Sequence, residues 1–320
     1  MRVMSLLRFV PAVLLAFGAA IAQAADAGCA REDRPAISFV QFTSPNIAVQ
    51  PPIPNGLTIK GKLSLPAGSS HGHCDGGRQR LPAVIILHGS SGIDARGDFY
   101  QAALNAAGIA TLQIDMWEAR GVTGGATRPA APILTYPDAF SALGFLAQHP
   151  QIDPDRIGVF GFSWGGVVSV GSAEQMYARM FGAGRTFKAH VANYPVCYAF
   201  NNTVPQLPPA ATLGLQFLHP TGAPMLIQIG SKDGYDNGAA NCRALARSVD
   251  PAQRFIRVVE YPGASHAWDR LMVPITVTDM FADEGSFFST GKAPIVDLVP
   301  DVEEAFASRE QVVRFFRRHL

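Results

Sequence analysis

A serine between two glycines is the residue whose surroundings most clearly indicate chemistry in this chain. Ser163 lies in the segment Gly161-Phe-Ser-Trp-Gly165, which follows a short apolar stretch and leads into a segment typical of a helix. Glycines two residues to either side permit a turn too sharp for residues with a Cβ, and such a turn exposes the serine hydroxyl. The spacing therefore predicts that Ser163 is a nucleophile. The N–H of Trp164, at the start of the helix, is the predicted donor to an oxyanion formed there.

A serine hydroxyl needs a general base, and the base needs a group that holds it in one tautomer. Asp233 follows the apolar stretch Met225–Ile229, and His266 lies in the loop after the next apolar stretch. We predict that His266 is the base and that Asp233, which lies closest to its strand end, is the acid. Asp236 is the alternative acid, and either aspartate could instead be a turn residue or a helix cap.

A second oxyanion donor is expected from the loop after the buried stretch Leu81–Leu87. This loop reads His88-Gly-Ser90-Ser91-Gly, and its glycines let the backbone approach a ligand closely. We assign the donor to the N–H of Ser90, with that of Ser91 as the alternative. His88 is interpreted as structural, because Ser163 already has a base that follows it in order.

The elements that must position these residues alternate between strands and helices. Strands are predicted at residues 57–65, 81–87, 109–114, 187–194, 224–229 and 255–261, and another ends at Ser163. Helices are predicted at residues 95–107, 136–148, 239–249 and 302–319, with one more after Ser163. This alternation is typical of an α/β fold whose mostly parallel sheet is covered by helices on both faces. We expect one domain over residues 57–320, with residues 269–301 as an insertion before the last helix.

The first 24 residues have the order of a secretory signal. Arg2 and Arg8 precede an apolar run from Phe9 to Ile21, and the small residues around Ala24 follow it. The run is short and rich in alanine, which favours a cleaved signal over a membrane span. We expect cleavage after Ala24, a polar N-terminal extension over residues 25–56, no stable membrane span after cleavage, and a periplasmic or secreted location.

Composition and charge restrict the classes of partner. Of the 320 residues, 48% are hydrophobic and 16% are charged, which suits a large core, and the formal net charge is +1. A basic surface for nucleic acid or anionic lipid is therefore not indicated. We expect a small-molecule substrate and no nucleic-acid partner.

Four cysteines in an exported chain favour two disulfide bonds. The preferred pairs are Cys29 with Cys74 and Cys197 with Cys242, because each pair lies within one half of the chain. Four reduced, buried thiols are the alternative. The stretch His71-Gly-His-Cys-Asp75 offers metal-ligating side chains, but no second cluster with ligand spacing accompanies it, so no metal site is predicted.

Several of these segments together resemble the dienelactone hydrolase family. They are His88-Gly89, Gln113–Gly121, Tyr136–Leu143, Asp155–Gly166, Asp233 and Ser265-His266. The order serine, acid, histidine along the chain is also that of the α/β-hydrolases. The resemblance extends over roughly residues 57–266. It implies a single domain with the α/β-hydrolase fold that needs no cofactor and cleaves esters or lactones through an acyl-enzyme.

The serine itself departs from the founding members of this family, which carry a cysteine nucleophile. A serine is a poorer nucleophile at its own pKa, so Ser163 depends more strongly on His266 and its carboxylate. This difference favours a general carboxylesterase with a small-molecule ester substrate over the lactone that gives the family its name. An amidase or peptidase, a thioesterase and a polyester hydrolase could use the same residues. A non-catalytic binding protein on the same fold is a further alternative.

Three other side chains are candidates for binding the substrate. Arg120 could bind a substrate carboxylate, as arginines near the site do in the founding members, or it could form a structural salt bridge. Trp117 and Trp268 lie in loops at the carboxyl edge of the predicted sheet, where the walls of binding sites form. Packing within a lid is the alternative for both tryptophans.

Overall fold

The computed structural model describes residues 34–68, 80–201 and 209–320. Within these ranges the strands are β1 (Ala36–Asn46), β2 (Ile53–Leu65), β3 (Leu81–Leu87), β4 (Ala110–Asp115), β5 (Ile152–Phe162), β6 (His190–Asn193), β7 (Met225–Lys232), β8 (Ile256–Ser265), β9 (Ile275–Thr278) and β10 (Ile295–Leu298). The α-helices are α1 (Ala95–Ala106), α2 (Tyr136–Ala147), α3 (Trp164–Gly171), α4 (Gln175–Phe181), α5 (Cys197–Asn201), α6 (Ala210–Leu213), α7 (Ala240–Val249), α8 (Phe287–Thr290) and α9 (Val302–His319).

Strands β1 to β8 form one sheet in the spatial order β1-β2-β4-β3-β5-β6-β7-β8. The pairs β1/β2 and β2/β4 are antiparallel, and every other neighbouring pair is parallel. The carboxyl ends of β3, β5, β7 and β8 therefore lie at the same edge of the sheet. The loops that carry Ser90, Ser163, Asp233 and His266 all leave from this edge. The α/β fold with a mostly parallel sheet is confirmed.

Alternate residues of β3 explain why both faces of the sheet are covered. Val84 and Ile86 belong to a core cluster that includes residues of α1 and α9, whereas Ile85 and Leu87 belong to one that includes residues of α2. All four side chains are at most 2% exposed. Because successive residues of a strand point to opposite faces, a continuous apolar run needs helices on both sides.

The sheet begins before residue 57, within the stretch that we expected to be an N-terminal extension. β1 pairs with β2 from Ala36 with Leu65 to Asn46 with Ile53, and it forms the outer edge of the sheet. Most residues of β1 face solvent, and Phe39 is 84% exposed. The strand therefore has no buried apolar run from which it could be predicted. The predicted signal, Cys29, Cys74 and the metal-like stretch at 71–75 lie outside the described residues.

Residues 269–301 form a small layer over the carboxyl edge of the sheet. β9 and β10 pair as a two-stranded antiparallel sheet. Val296 and Leu298 pack against Tyr235 in a third apolar cluster, and Asp283 and Glu284 donate backbone hydrogen bonds to the Asp233 loop. The expected insertion is therefore anchored directly on the loop that carries the predicted acid. Among the described residues, no helix is long and apolar enough to cross a membrane.

Candidate active site

Ser163 lies at a sharp turn that can form only because the residues at positions 161 and 165 have no side chain. Its φ of 49° and ψ of −110° fall in a region that non-glycine residues rarely adopt. A Cβ on Gly161 would stand 2.0 Å from the carbonyl oxygen of Gly165, and one on Gly165 would stand 2.3 Å from that of Leu87. The two glycines therefore let β5, α3 and the end of β3 meet, and this close packing fixes the serine between them.

Three side chains from different loops form one hydrogen-bonded series. The Nε2 atom of His266 lies 3.0 Å from the Oγ of Ser163, and its Nδ1 atom lies 2.8 Å from an Oδ of Asp233. Asp233 and His266 are 1% and 3% exposed. The other Oδ of Asp233 accepts the backbone N–H groups of Tyr235 and Asp236. The carboxylate is thereby fixed so that it accepts the Nδ1 proton of His266 and leaves Nε2 free to accept a proton from the serine.

Two aromatic rings enclose the imidazole of His266. The ring centroids of Tyr235 and Tyr194 lie 4.2 and 4.6 Å from that of His266. The Tyr194 hydroxyl donates to the buried carboxylate of Asp269 and accepts from Arg96. The hydroxyl of Tyr235 donates to Asp279, so both rings pack against the imidazole without offering it a competing hydrogen bond.

Asp236, the alternative acid, caps a helix and does not contact His266. Its carboxylate accepts the backbone N–H groups of Cys197 and Tyr198, both at 2.7 Å, at the start of α5. Burial, followed by the charge of Asp233, raises the pKa of Asp236 to about 8. A carboxyl group that ionises with difficulty and bonds to another helix is a poor partner for an imidazolium. The geometry therefore separates the two aspartates and assigns to Asp236 the capping role that the sequence left open.

A disulfide bond joins Cys197 to Cys242, as predicted, and it links α5 to α7. Both sulfurs and the carboxylate of Asp236 lie within 4.8 Å of one another. This group of buried atoms has the composition of a metal site, but the S–S bond occupies both thiols. The disulfide instead holds the two helices that flank the loop of Asp233.

The loop after β3 is held by two buried aromatic side chains. The Nε2 atom of His88 accepts the N–H of Met116, and its Nδ1 atom, which must then carry the proton, donates to the carbonyl of Gly89. The indole N–H of Trp117 donates to the carbonyl of Ser90 at 3.1 Å. These bonds fix the peptide planes of a loop that borders Ser163, which suits a preorganised oxyanion donor. Trp164 begins α3, so its N–H is one of those that have no partner within the helix.

The three predicted substrate-binding side chains do not face the cleft. Arg120 forms a salt bridge with the buried Asp138 at 2.6 Å and donates to the carbonyls of Met116 and Leu134. Of the two roles considered for Arg120, the structural salt bridge is therefore the one that the structure shows. Trp268 is fully buried, packs against Tyr194 and donates to Ser308 of α9. Trp117 is 3% exposed and packs between His88 and Trp164, so it supports the loop of Ser90 rather than a binding wall.

An open cleft of about 670 Å³ lies over Ser163 and His266. One wall comes from residues 125–130 and another from the layer around β9, and the two are joined by a salt bridge of 2.7 Å between Arg128 and Asp279. Asp279 also accepts the hydroxyl hydrogen bond of Tyr235. These residues were not predicted, because a lone arginine and a lone aspartate 151 positions apart carry no local signal of their pairing. Tyr235, two residues after Asp233, could have been noted from its place in the acid loop.

The fold is that of the α/β-hydrolases, and the site lies where that class has its active site. The family model for the dienelactone hydrolase family matches residues 73–274, and the chain belongs to that family. It is 33% identical over 130 residues to an uncharacterised peptidase of Bacillus subtilis, covering 38% of this chain and 43% of that protein. It is 28% identical over 199 residues to an uncharacterised protein of Mycobacterium tuberculosis, covering 61% of this chain and 65% of that protein. The chain thus spans less than two thirds of the length of either relative.

Among solved structures, a fungal esterase of Rhizomucor miehei superposes with a TM-score of 0.59 at 16% sequence identity. The superposition covers 94% of this chain and 88% of the esterase. At 16% sequence identity this similarity shows a shared fold and nothing about the substrate.

Proposed function

We propose that the protein is a serine hydrolase that cleaves carboxylic esters through an acyl-enzyme. The observation that carries the proposal is the series from Asp233 through His266 to Ser163, which ends at the floor of an open cleft. Membership of a family named for lactone hydrolysis supports an ester as the substrate. Each group also has the environment that its role needs, because the base is oriented, the acid is buried and the nucleophile is exposed to the cleft.

In this mechanism Ser163 Oγ attacks the ester carbonyl while His266 Nε2 takes its proton. Asp233 stabilises the imidazolium that results. The N–H groups of Trp164 and of Ser90, or its neighbour Ser91, stabilise the oxyanion of the tetrahedral intermediate. His266 then protonates the departing alcohol as the acyl-enzyme forms. A water molecule, activated by the same imidazole, releases the acid and regenerates Ser163.

Export is the second part of the proposal. The N-terminal pattern of Arg2, Arg8 and the apolar run supports a signal that is removed after Ala24, and the Cys197–Cys242 disulfide suits an oxidising compartment. We expect the protein isolated from a Gram-negative host to begin at Ala25 and to appear in the periplasm or the medium. Intact mass of the recovered protein measures this, and a retained N-terminus in the cytoplasmic fraction would contradict it.

Turnover of matched substrates tests the reaction itself. We expect hydrolysis of p-nitrophenyl acetate and butyrate, and a decrease of about 10⁴-fold or more in kcat/KM for Ser163→Ala. Ser38→Ala, at an exposed position of β1, is the matched control and should behave like the wild type. The corresponding p-nitroanilides and thioesters, assayed in parallel, distinguish an amidase or a thioesterase. Absence of any Ser163-dependent ester hydrolysis would contradict the proposal.

A further inference from the structure

We propose that the site selects esters of short-chain aliphatic acids with larger, polar alcohols. This inference rests on the proposed function and specifies its substrate class. It comes from a second, smaller cavity that opens at Ser163 beside the cleft described above and shares part of its wall. The acyl chain is assigned to this second cavity and the alcohol to the open cleft.

The two cavities share a wall that includes Ser163, Leu213 and Phe281, but each also has residues of its own. The larger one, of about 670 Å³, includes His266, Ala267 and Arg270. The smaller one, of about 50 Å³, is bordered by Ser90, Ser163 and Trp164 but not by His266. Ser90 borders both cavities, so the difference is that His266 borders only the larger one and Trp164 only the smaller one.

The chemistry of acyl transfer determines which part of the substrate enters each cavity. His266 must donate its proton to the leaving oxygen, so the alcohol has to lie on the His266 side of the ester carbon. The carbonyl oxygen points to the oxyanion donors. The remaining substituent of the ester carbon is the acyl chain, and the smaller cavity is the space left for it.

The walls of the smaller cavity suit a hydrocarbon chain. Among the described residues they include Val167 of α3, Ala199 of α5 and Leu213 of α6, together with Leu215 and Phe281. Arg128 and Asp279 also border it, but they form a salt bridge with each other. A polar or charged acyl chain would lose its hydration there without gaining an unpaired partner, whereas an apolar chain would gain burial.

The volume of the smaller cavity limits the length of the chain. A site needs roughly 10–15 Å³ of such space for each water-sized group, so a cavity of about 50 Å³ takes about three to five non-hydrogen atoms. Acetyl to butyryl groups fit this space, and an octanoyl group exceeds it. The larger cleft, which the guanidinium group of Arg270 borders, offers the bulk and polarity for the alcohol.

Acyl-chain profiles of three variants test this assignment. For the wild type we expect kcat/KM for p-nitrophenyl butyrate to exceed that for the octanoate by about tenfold or more. Leu213→Ala removes three carbons from the wall and should raise the octanoate-to-butyrate ratio by about tenfold. Ala199→Leu fills the cavity and should lower the butyrate-to-acetate ratio by about tenfold. The double variant Ala199→Leu/Leu213→Ala should restore part of the butyrate activity, because the second change returns the space.

Leu218→Ala is the matched control for Leu213→Ala, since Leu218 is 58% exposed and does not border either cavity. Its acyl-chain profile should equal that of the wild type. Retained acetate hydrolysis and an unchanged circular dichroism spectrum establish that each variant is folded. Equal acyl-chain profiles in the wild type and all folded variants would overturn the assignment of the cavity while leaving the esterase intact. If the wild type shows no Ser163-dependent ester hydrolysis at all, the proposed function itself is contradicted.

Discussion

Two aspartates three residues apart have different roles because their hydrogen-bond partners differ. Asp233 accepts from the backbone of its own turn and faces His266, whereas Asp236 turns away and caps α5. Both are almost fully buried. At the residue scale, the assignment of the acid thus depends on side-chain direction, which the sequence leaves open.

Substitution of each aspartate by asparagine distinguishes these roles. Asp233→Asn should lower kcat by about 10⁴-fold with little change in fold, because the amide can no longer stabilise the His266 tautomer that accepts the serine proton. Asp236→Asn should retain most of the activity and destabilise the protein by about 1–3 kcal/mol, because the amide keeps one acceptor oxygen and its N–H₂ would oppose the N–H of either Cys197 or Tyr198. Steady-state kinetics and urea unfolding measure the two effects. A larger loss of kcat in Asp236→Asn than in Asp233→Asn would reverse the assignment.

The three side chains that the structure brings together at Ser163 were predicted from the sequence, whereas the residues that line the cleft were not. Ser163, Asp233 and His266 each directly follow or lie just beyond a predicted strand, and the ends of parallel strands meet at one edge. Arg120, Trp117 and Trp268 also lie in such loops, yet their side chains pack inward against Asp138, the Ser90 loop and α9. Position in a loop can be read from the sequence, but the direction of a side chain depends on its tertiary neighbours.

At the scale of elements, apolar runs made the inner strands predictable. Predicted residues 81–87, 109–114 and 224–229 correspond to β3, β4 and β7, and the helix predicted at 302–319 is α9. β1 was missed because an edge strand with a solvated face lacks such a run. The layer of β9 and β10 was missed because four-residue strands that pack on a loop carry too few residues for a periodic pattern.

The disulfide between α5 and α7 is expected to stabilise the elements that flank the Asp233 loop. Its loop spans 45 residues, which corresponds to about 4 kcal/mol in the chain-entropy account. The variant Cys197→Ala/Cys242→Ala should therefore lose about 2–4 kcal/mol in the free energy of unfolding. Differential scanning calorimetry and urea unfolding without reductant measure this.

Dithiothreitol supplies the control for the same prediction. It should lower the melting temperature of the wild type by more than that of the double variant, which isolates this bond from any contribution of Cys29 and Cys74. An equal response of the two proteins to reductant would show that the Cys197–Cys242 bond contributes nothing to stability.

At the scale of the whole molecule, a buried histidine should make the fold sensitive to acid. His190 in β6 is fully buried, its Nδ1 hydrogen-bonds to the carbonyl of Ser169, and burial lowers its pKa from 6.5 to about 4. The unfolded chain therefore binds a proton between these values that the folded protein does not. Stability contributed by the neutral His190 is present above pH 6.5 and is lost as the pH falls towards 4.

The magnitude of this effect is about 3 kcal/mol, since each pKa unit corresponds to about 1.4 kcal/mol. Urea unfolding at pH 7 and pH 4.5 should show a smaller loss of stability for His190→Gln than for the wild type. Subtracting the change in unfolding free energy of the variant from that of the wild type removes the contribution of other titrating groups. Identical pH dependence in both proteins would contradict a lowered pKa of His190.

The central claim is that Ser163 is the nucleophile of a hydrolase, and covalent labelling tests it most directly. The mature protein is incubated with a fluorophosphonate, and the modified peptide is identified by mass spectrometry. We expect a single adduct on Ser163, no adduct in Ser163→Ala, and much slower labelling in His266→Ala, because the serine then lacks its base. An adduct on another residue, or an unlabelled Ser163 in a folded protein, would contradict the account.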